Sequence, residues 1–278
     1  MPELEPLRDT IARHGLRARR SLGQHFLLDR NLTDRIARAA GDLGHGTTIE
    51  IGAGPGGLTR SLLAAGARHV VAVERDPRCL AALGELAEAY PGRLTTREAD
   101  AQALTLDQLG PPPRTVVANL PYNIATELLI GWLDELAADP NAAAGFTLMF
   151  QKEVADRLVA EPRTKAYSRL SILTQWLCET RVRFTVPPQA FTPPPRVWSS
   201  VVQATPRAEP LAPARSATLQ RVTGAAFGQR RKMLRQSLKA LGDPADLAAR
   251  AGVPLTARAE ELSVPAFCAL ARALDETA

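Results

Sequence analysis

Cysteine is scarce in this chain of 278 residues, and the three that occur, Cys79, Cys178 and Cys268, stand far apart. None falls in a Cys-x-x-Cys or Cys/His ligand spacing, and His14, His45 and His69 form no ligand-like cluster. No metal site is therefore expected, nor a disulfide framework, and a reducing compartment fits. Long apolar runs are missing as well. No stretch approaches the roughly 18 residues that a membrane span needs. The N-terminal stretch lacks the apolar h-region of a secretory signal, and Glu3, Glu5 and Asp9 do not suit a transit peptide. The expectation is a cytoplasmic protein with no membrane partner. Internal repeats and long low-complexity tracts are absent too.

What is present is an ordinary globular composition, 45% apolar and 23% charged, with a net charge of +5 and a sequence pI of about 9.5. An excess of cations admits an acidic partner, nucleic acid being the commonest, or simply a solvated basic surface. The length fits one large and one small domain.

From residue 47 onward, strand-like and helical patterns alternate. TTIEIG (47–52), HVVAVE (69–74), RLTTREAD, RTVVANL and GFTLMF read as strands. Between them GLTRSLLAAG reads as a helix closed by Gly66, and PRCLAALGELAEA (77–89) as one opened by Pro77. Such alternation predicts an α/β fold with a mostly parallel sheet covered on both faces. VPPQAFTPPPRVW (186–198) is too rich in proline for a helix interior and reads as an extended loop. RAEPLAPARS (207–216) reads as a linker, and residues 216–275 show only helical patterns, QRRKMLRQSLK among them. The expected division is an α/β domain over 1–205 and a small all-helical domain over 206–278.

EIGAGPGGLT (50–59) places Gly52, Gly54 and Gly56 in the loop after the first of these strands, where glycine lets a ligand approach the backbone. No Gly-Lys-Ser/Thr follows, so it is not a phosphate-binding Walker loop. Glu74 ends the second strand, 20 residues beyond Gly54 (74 − 54), where a carboxylate can accept from ribose hydroxyls. Asp100 ends the third, where it can accept from an adenine amino group. Each carboxylate alone is equally a helix cap or a surface charge; both in register with the glycines point to a bound adenosine.

VVANLPYNI (116–124) then ends a buried strand in an amide, a proline and an aromatic ring. An adenine N6 amine is a poor nucleophile, because its lone pair is delocalised into the ring. The Asn119 side-chain oxygen and the Leu120 carbonyl can accept its two N–H bonds and favour a pyramidal nitrogen aimed at a methyl donor. Pro121 stiffens the turn, and Tyr122 offers a plane for an extruded base.

With SLGQHFL (21–27), VERD (73–76), NLPYNIAT (119–126), FQKEVADRL (150–158), YSRLSI (167–172) and FTPPPRVWSSV (191–201), the chain resembles the ribosomal RNA adenine N6-dimethyltransferases over nearly its whole length. Within them it is most similar to those acting on two neighbouring adenosines near the 3′ end of 16S rRNA. The resemblance implies a Rossmann-like methyltransferase domain using S-adenosylmethionine. It places Gly52 and Gly54 in the cofactor loop, Glu74 on the ribose, Asp100 on the adenine, and His25 and Leu27 in an N-terminal segment enclosing the cofactor. Asn119 and Leu120 face the reacting centre, with Tyr122 and Phe191 on the two faces of the base.

Residues 215–239 hold Arg215, Arg221, Arg230, Arg231, Lys232, Arg235 and Lys239 with no Asp or Glu. After a methyltransferase domain, phosphate contact is the expected role of such a run; the basic leader with Arg8, Arg13, Arg17, Arg19 and Arg20, and Arg196, could extend it. The expected partner is 16S rRNA in the assembling small ribosomal subunit, met by a monomer. The alternatives are a 23S rRNA adenine N6-methyltransferase conferring antibiotic resistance, a DNA adenine methyltransferase, a non-catalytic assembly factor, and an NAD-linked reductase.

Overall fold

The computed structural model describes residues 4–18 and 24–276, so Arg19, Arg20 and residues 21–23 of SLGQHFL lie outside it. The chain divides into two compact units, Met1–Ala155 with Arg181–Thr205, and Asp156–Thr180 with Pro206–Ala278. The second unit takes residues 156–180 as well as the stretch from Pro206 on.

In chain order the elements are α1 (Leu7–Arg13), β1 (Phe26–Leu27), α2 (Arg30–Ala39), β2 (Thr47–Ile51), α3 (Gly57–Ala64), β3 (Val70–Glu74), α4 (Pro77–Ala89), β4 (Leu94–Glu98), β5 (Arg114–Asn119), α5 (Ala125–Ala138) and β6 (Gly145–Gln151). Next come α6 (Lys152–Leu158), α7 (Arg169–Leu177), β7 (Cys178–Val186), β8 (Phe191–Thr192), β9 (Ser199–Pro206), α8 (Ser216–Gly228), α9 (Leu234–Ser237), α10 (Pro244–Ala251) and α11 (Val264–Asp275). No helix among the described residues is long and apolar enough to cross a membrane.

Seven strands form one sheet in the order β4-β3-β2-β5-β6-β9-β7. β2 and β3 are buried at every position, the mark of parallel strands covered on both faces. Strands β4 through β6 pair in parallel, and β9 runs antiparallel to β6, with Gln151 opposite Ser199. The strand order reverses between β2 and β5. In an open α/β sheet a crevice opens outside the strand ends at such a reversal. The Pro-rich stretch is extended as expected, and two of its residues make a strand: Leu27 pairs with Phe191 and Phe26 with Thr192.

The helical unit is built around aromatic contacts. Phe227 of α8 stacks on Phe267 of α11 with centroids 5.8 Å apart, and Tyr167 meets Phe227 edge-on at 6.2 Å. The expected linker 207–216 is packed rather than free. Arg207 N–H donates to the Leu177 carbonyl, Leu211 N–H to Trp176, and the Trp176 indole to Ala212. The helix read from QRRKMLRQSLK is broken. Met233 is extended (φ −67°, ψ 156°) and bridges Arg258, and the N–H groups of Leu234 and Arg235 go to Ala257 and Leu255, leaving a four-residue α9. Leu234 and Leu238 are nevertheless fully buried.

Candidate functional site

Outside the ends of β2, β3 and β5, at the strand-order reversal, lies a cleft lined by Gly52, Gly54, Glu74, Asp100, Asn119, Leu120 and Tyr122, with His25 and Leu27 of the N-terminal segment. Every residue expected to hold the cofactor is thus brought to one place. Gly52 (φ +71°) and Gly54 (φ +56°) adopt backbone that side chains rarely tolerate. A Cβ on Gly54 would come within 3.4 Å of the Phe26 ring. The glycines therefore keep this floor at backbone level.

Glu74 is 7% exposed and already engaged. One oxygen accepts from Gly54 N–H at 2.7 Å, and the other from the N–H groups of Arg75 and Asp76 at 2.8 Å each. A carboxylate offers about four acceptor positions, so roughly one remains. Both ribose hydroxyls can be accepted only if one of these three bonds gives way. Asp100 accepts from Gln102 N–H at 3.1 Å, capping a short turn, and from Arg75 Nη1 at 3.2 Å. The cap considered for it as an alternative is real, and Asp100 still lines the cleft.

Glu50 was not singled out from the sequence. It lines the same cleft at 2% exposure, and one carboxylate oxygen has no hydrogen-bond partner. Burial, reinforced by the Glu74 charge, pushes its carboxyl up to about 8. An acid as the fourth residue of the buried run TTIEI was the available signal.

At the end of β5, the Asn119 amide nitrogen donates to the His25 carbonyl at 3.0 Å. A carbonyl can only accept, so this bond fixes which end of the amide is which. The Asn119 side-chain oxygen and the Leu120 carbonyl oxygen accept no hydrogen bond among the described residues. Two acceptors thus stand unpartnered at adjacent positions in the cleft.

The aromatic arrangement differs from expectation. The Tyr122 hydroxyl and Ser199 Oγ are 2.6 Å apart, which ties the ring to the start of β9, and burial raises its phenol pKa. The His25 ring lies over Tyr122 with centroids 5.7 Å apart and planes 29° from parallel. Its Nδ1–H donates to the Pro193 carbonyl at 2.7 Å. Phe191 is not in the cleft lining: it is 3% exposed, packs into the core of the α/β unit, and presents an edge contact to His25 at 6.3 Å. Its pairing with Leu27 places it in the core, and His25 takes the position beside Tyr122. Ser199 and Pro193 carried no sequence signal, since each acts on a residue far away in the chain.

The basic run of the helical unit is partly compensated. Arg230 pairs with Glu260 at 2.8 Å and donates to the Thr164 carbonyl, and Arg215 lies 3.4 Å from Asp275. Arg221, Arg231, Lys232, Arg235 and Lys239 are exposed and make no ion pair among the described residues. No group of three or more metal-ligating side chains is found among the described residues.

The chain matches the family described as ribosomal RNA adenine dimethylase over residues 15–276. It is 64% identical, over 275 residues, to the ribosomal RNA small subunit methyltransferase A of Paramagnetospirillum magneticum, covering 99% of this chain and 96% of that protein. Among solved structures it is similar to a dimethyladenosine transferase from Plasmodium falciparum, at 24% identity and a TM-score of 0.73 over 91% of this chain and 98% of that one. It is also similar to the 23S rRNA methyltransferase ErmE, at 26% identity and a TM-score of 0.65 over 90% of this chain and 99% of that one.

Proposed function

The chain belongs to the ribosomal RNA adenine dimethylase family, and from that premise we propose that it transfers methyl groups from S-adenosylmethionine to N6 of two adjacent adenosines near the 3′ end of 16S rRNA. The observation that carries this reading is the pair of unpartnered acceptors, Asn119 Oδ1 and the Leu120 carbonyl, set beside an aromatic ring. An exocyclic amine brings two N–H donors, and adjacent acceptors match that number. Holding both bonds out of the base plane localises the lone pair on nitrogen.

The donor set suits S-adenosylmethionine. Its sulfonium and ammonium charges complement a cleft lined by the carboxylates of Glu74 and Asp100, and Gly52 and Gly54 leave room for it against the backbone. When bound, it supplies an already electrophilic methyl group, so no strong general base is needed. Glu74 takes a ribose hydroxyl, Asp100 the adenine amine, and His25 and Leu27 enclose the cofactor from the N-terminal side. Tyr122 stacks on the extruded base. With Phe191 in the core, His25 is the aromatic group that reaches the Tyr122 face, and a base entering there must displace or flank it.

The partner is the assembling small subunit, met by a monomer in the cytoplasm, with the exposed cations of residues 221–239 on RNA phosphates. The 23S reading draws on the same site, but similarity to ErmE is 26% against 64% to a small-subunit methyltransferase A. The test is methyl transfer from labelled S-adenosylmethionine to undermethylated small and large subunits in parallel, with modified nucleotides mapped. Label in N6-dimethyladenosine near the 16S 3′ end is the expected result. Label confined to large-subunit RNA would move the protein to the resistance branch. Cofactor binding without label on either would leave an assembly factor.

A further inference from the structure

The chain has three tryptophans. Trp132 and Trp176 are 3% and 2% exposed and serve the interior, one stacked on Phe146 and the other donating to Ala212. Trp198 is 51% exposed, and its neighbour Val197 is 43% exposed. Large apolar groups clustered at the surface of a soluble protein mark an interaction site.

The backbone around it is tied to residues of the cleft. The segment 193–199 is tied to the aromatic pair at both ends: the Pro193 carbonyl accepts from His25 Nδ1, and Ser199 Oγ bonds the Tyr122 hydroxyl. The Trp198 carbonyl accepts from Lys152 N–H at 2.8 Å, which anchors its backbone to the start of α6. Trp198 is thus one residue from the group that holds Tyr122, about 3.8 Å along the backbone. Exposed Arg196 precedes it by two positions, and exposed Lys152 adjoins it across the hydrogen bond. An aromatic plane flanked by cations, one residue along the backbone from the group that holds the Tyr122 ring, has the composition of a single-strand stacking platform.

We propose that the Trp198 indole stacks on an unpaired RNA base next to the nucleotide whose base enters the cleft, with Arg196 on the intervening phosphate. This rests on the reading of the cleft as an adenosine site in RNA. The contact is sequence-tolerant, because every base has a π face; its role is to hold the strand in register, so that each of two neighbouring adenosines is presented in turn.

Because the other two tryptophans are buried, iodide-accessible fluorescence reports on Trp198. A single-stranded RNA oligonucleotide containing two adjacent adenosines should quench that emission and protect it from iodide in the wild type, and not in Trp198→Ala. In methyl transfer to undermethylated small subunits, Trp198→Ala should raise KM for subunits at least about fivefold, with S-adenosylmethionine affinity unchanged. Trp198→Phe, which keeps a plane, should restore most of it, and Trp198→Leu should not. An unchanged KM in Trp198→Ala, or RNA that leaves the emission of the wild type unaltered, overturns the proposal. Equal rescue by Leu and Phe also overturns it, in favour of a protein docking on an apolar patch. Quenching in an enzyme that methylates neither subunit would instead sink the functional reading while leaving the stacking contact standing.

Discussion

The end of β5 and the basic run of residues 215–239 both display polar groups, yet they hold them in opposite ways. Around the end of β5 each polar side chain is tied to another group, Asn119 to His25, His25 to Pro193 and Tyr122 to Ser199, and Glu74 at the neighbouring end of β3 accepts from three backbone N–H groups. Along the run, Arg221, Arg231, Lys232, Arg235 and Lys239 extend into solvent, with Arg215 and Arg230 held by acids from other segments. Chemistry on a particular atom requires placement within a fraction of an ångström. Attraction to a phosphate chain works through charge over a Debye length and tolerates loose side chains. On the function proposed above, the difference separates a site that selects an atom from a surface that gathers a polymer.

The comparison breaks most readily at its tightest point. Asn119→Ala should lower methyl transfer about a hundredfold or more, with cofactor binding, followed by calorimetry, nearly intact. If the loss is less than tenfold, the amide does not orient the amine.

Glu50 tests the same region through stability. Its folded pKa lies near 8, above the ordinary value of 4.5, so between these pH values the native state binds more protons than the unfolded one. Stability should therefore fall as pH rises through that window, by roughly a few kcal/mol in all. Glu50→Gln should flatten the dependence, as read by urea unfolding from pH 4.5 to 8.5 without cofactor. An unchanged slope would show that the carboxyl ionises without cost.

Within the basic run, Arg230 should behave as structure and its neighbours as electrostatics. Arg230→Ala loses the bonds to Glu260 and Thr164 and should cost about 1–2 kcal/mol of unfolding free energy. The double variant Arg231→Ala, Lys232→Ala should leave the unfolding midpoint in place. It should weaken RNA binding and lower the slope of log affinity against log salt by about 1 to 2. Equal destabilisation by both variants would erase the distinction. The smallest effect is expected of Tyr122→Phe, which keeps the ring and loses the hydroxyl bond to Ser199: a few-fold lower rate, measured in single turnover.

Local chemistry was legible in the sequence, and long-range partnership was not. The glycine loop, Glu74, Asp100 and NLPY announce themselves because each sits at a strand end and each residue type suits a nearby ligand. Their companions Ser199, Pro193 and Glu260 are ordinary residues whose meaning arises only when the chain folds back on itself. The helical periodicity of QRRKMLRQSLK agrees with the burial of Leu234 and Leu238, while Met233 is only half-buried. It could not show that the N–H groups of Leu234 and Arg235 would find carbonyls in residues 255–257 and end the helix. Phe191 lies in the core for a related reason. A lone aromatic in a Pro-rich stretch looks free until its two-residue pairing with β1 draws it into the core.

That pairing has a consequence for how the protein comes into being. The hydrogen bond from His25 to Pro193 joins residues 168 positions apart. A chain emerging from N- to C-terminus at about 5–20 residues per second makes the first partner on the order of ten to thirty seconds before the second. Through that interval the glycine loop and the end of β5 can form, while the strand that clasps β1 does not yet exist. A nascent chain is therefore without its finished cleft until residues 191–199 have been made, and a fragment ending before residue 191 would never acquire it.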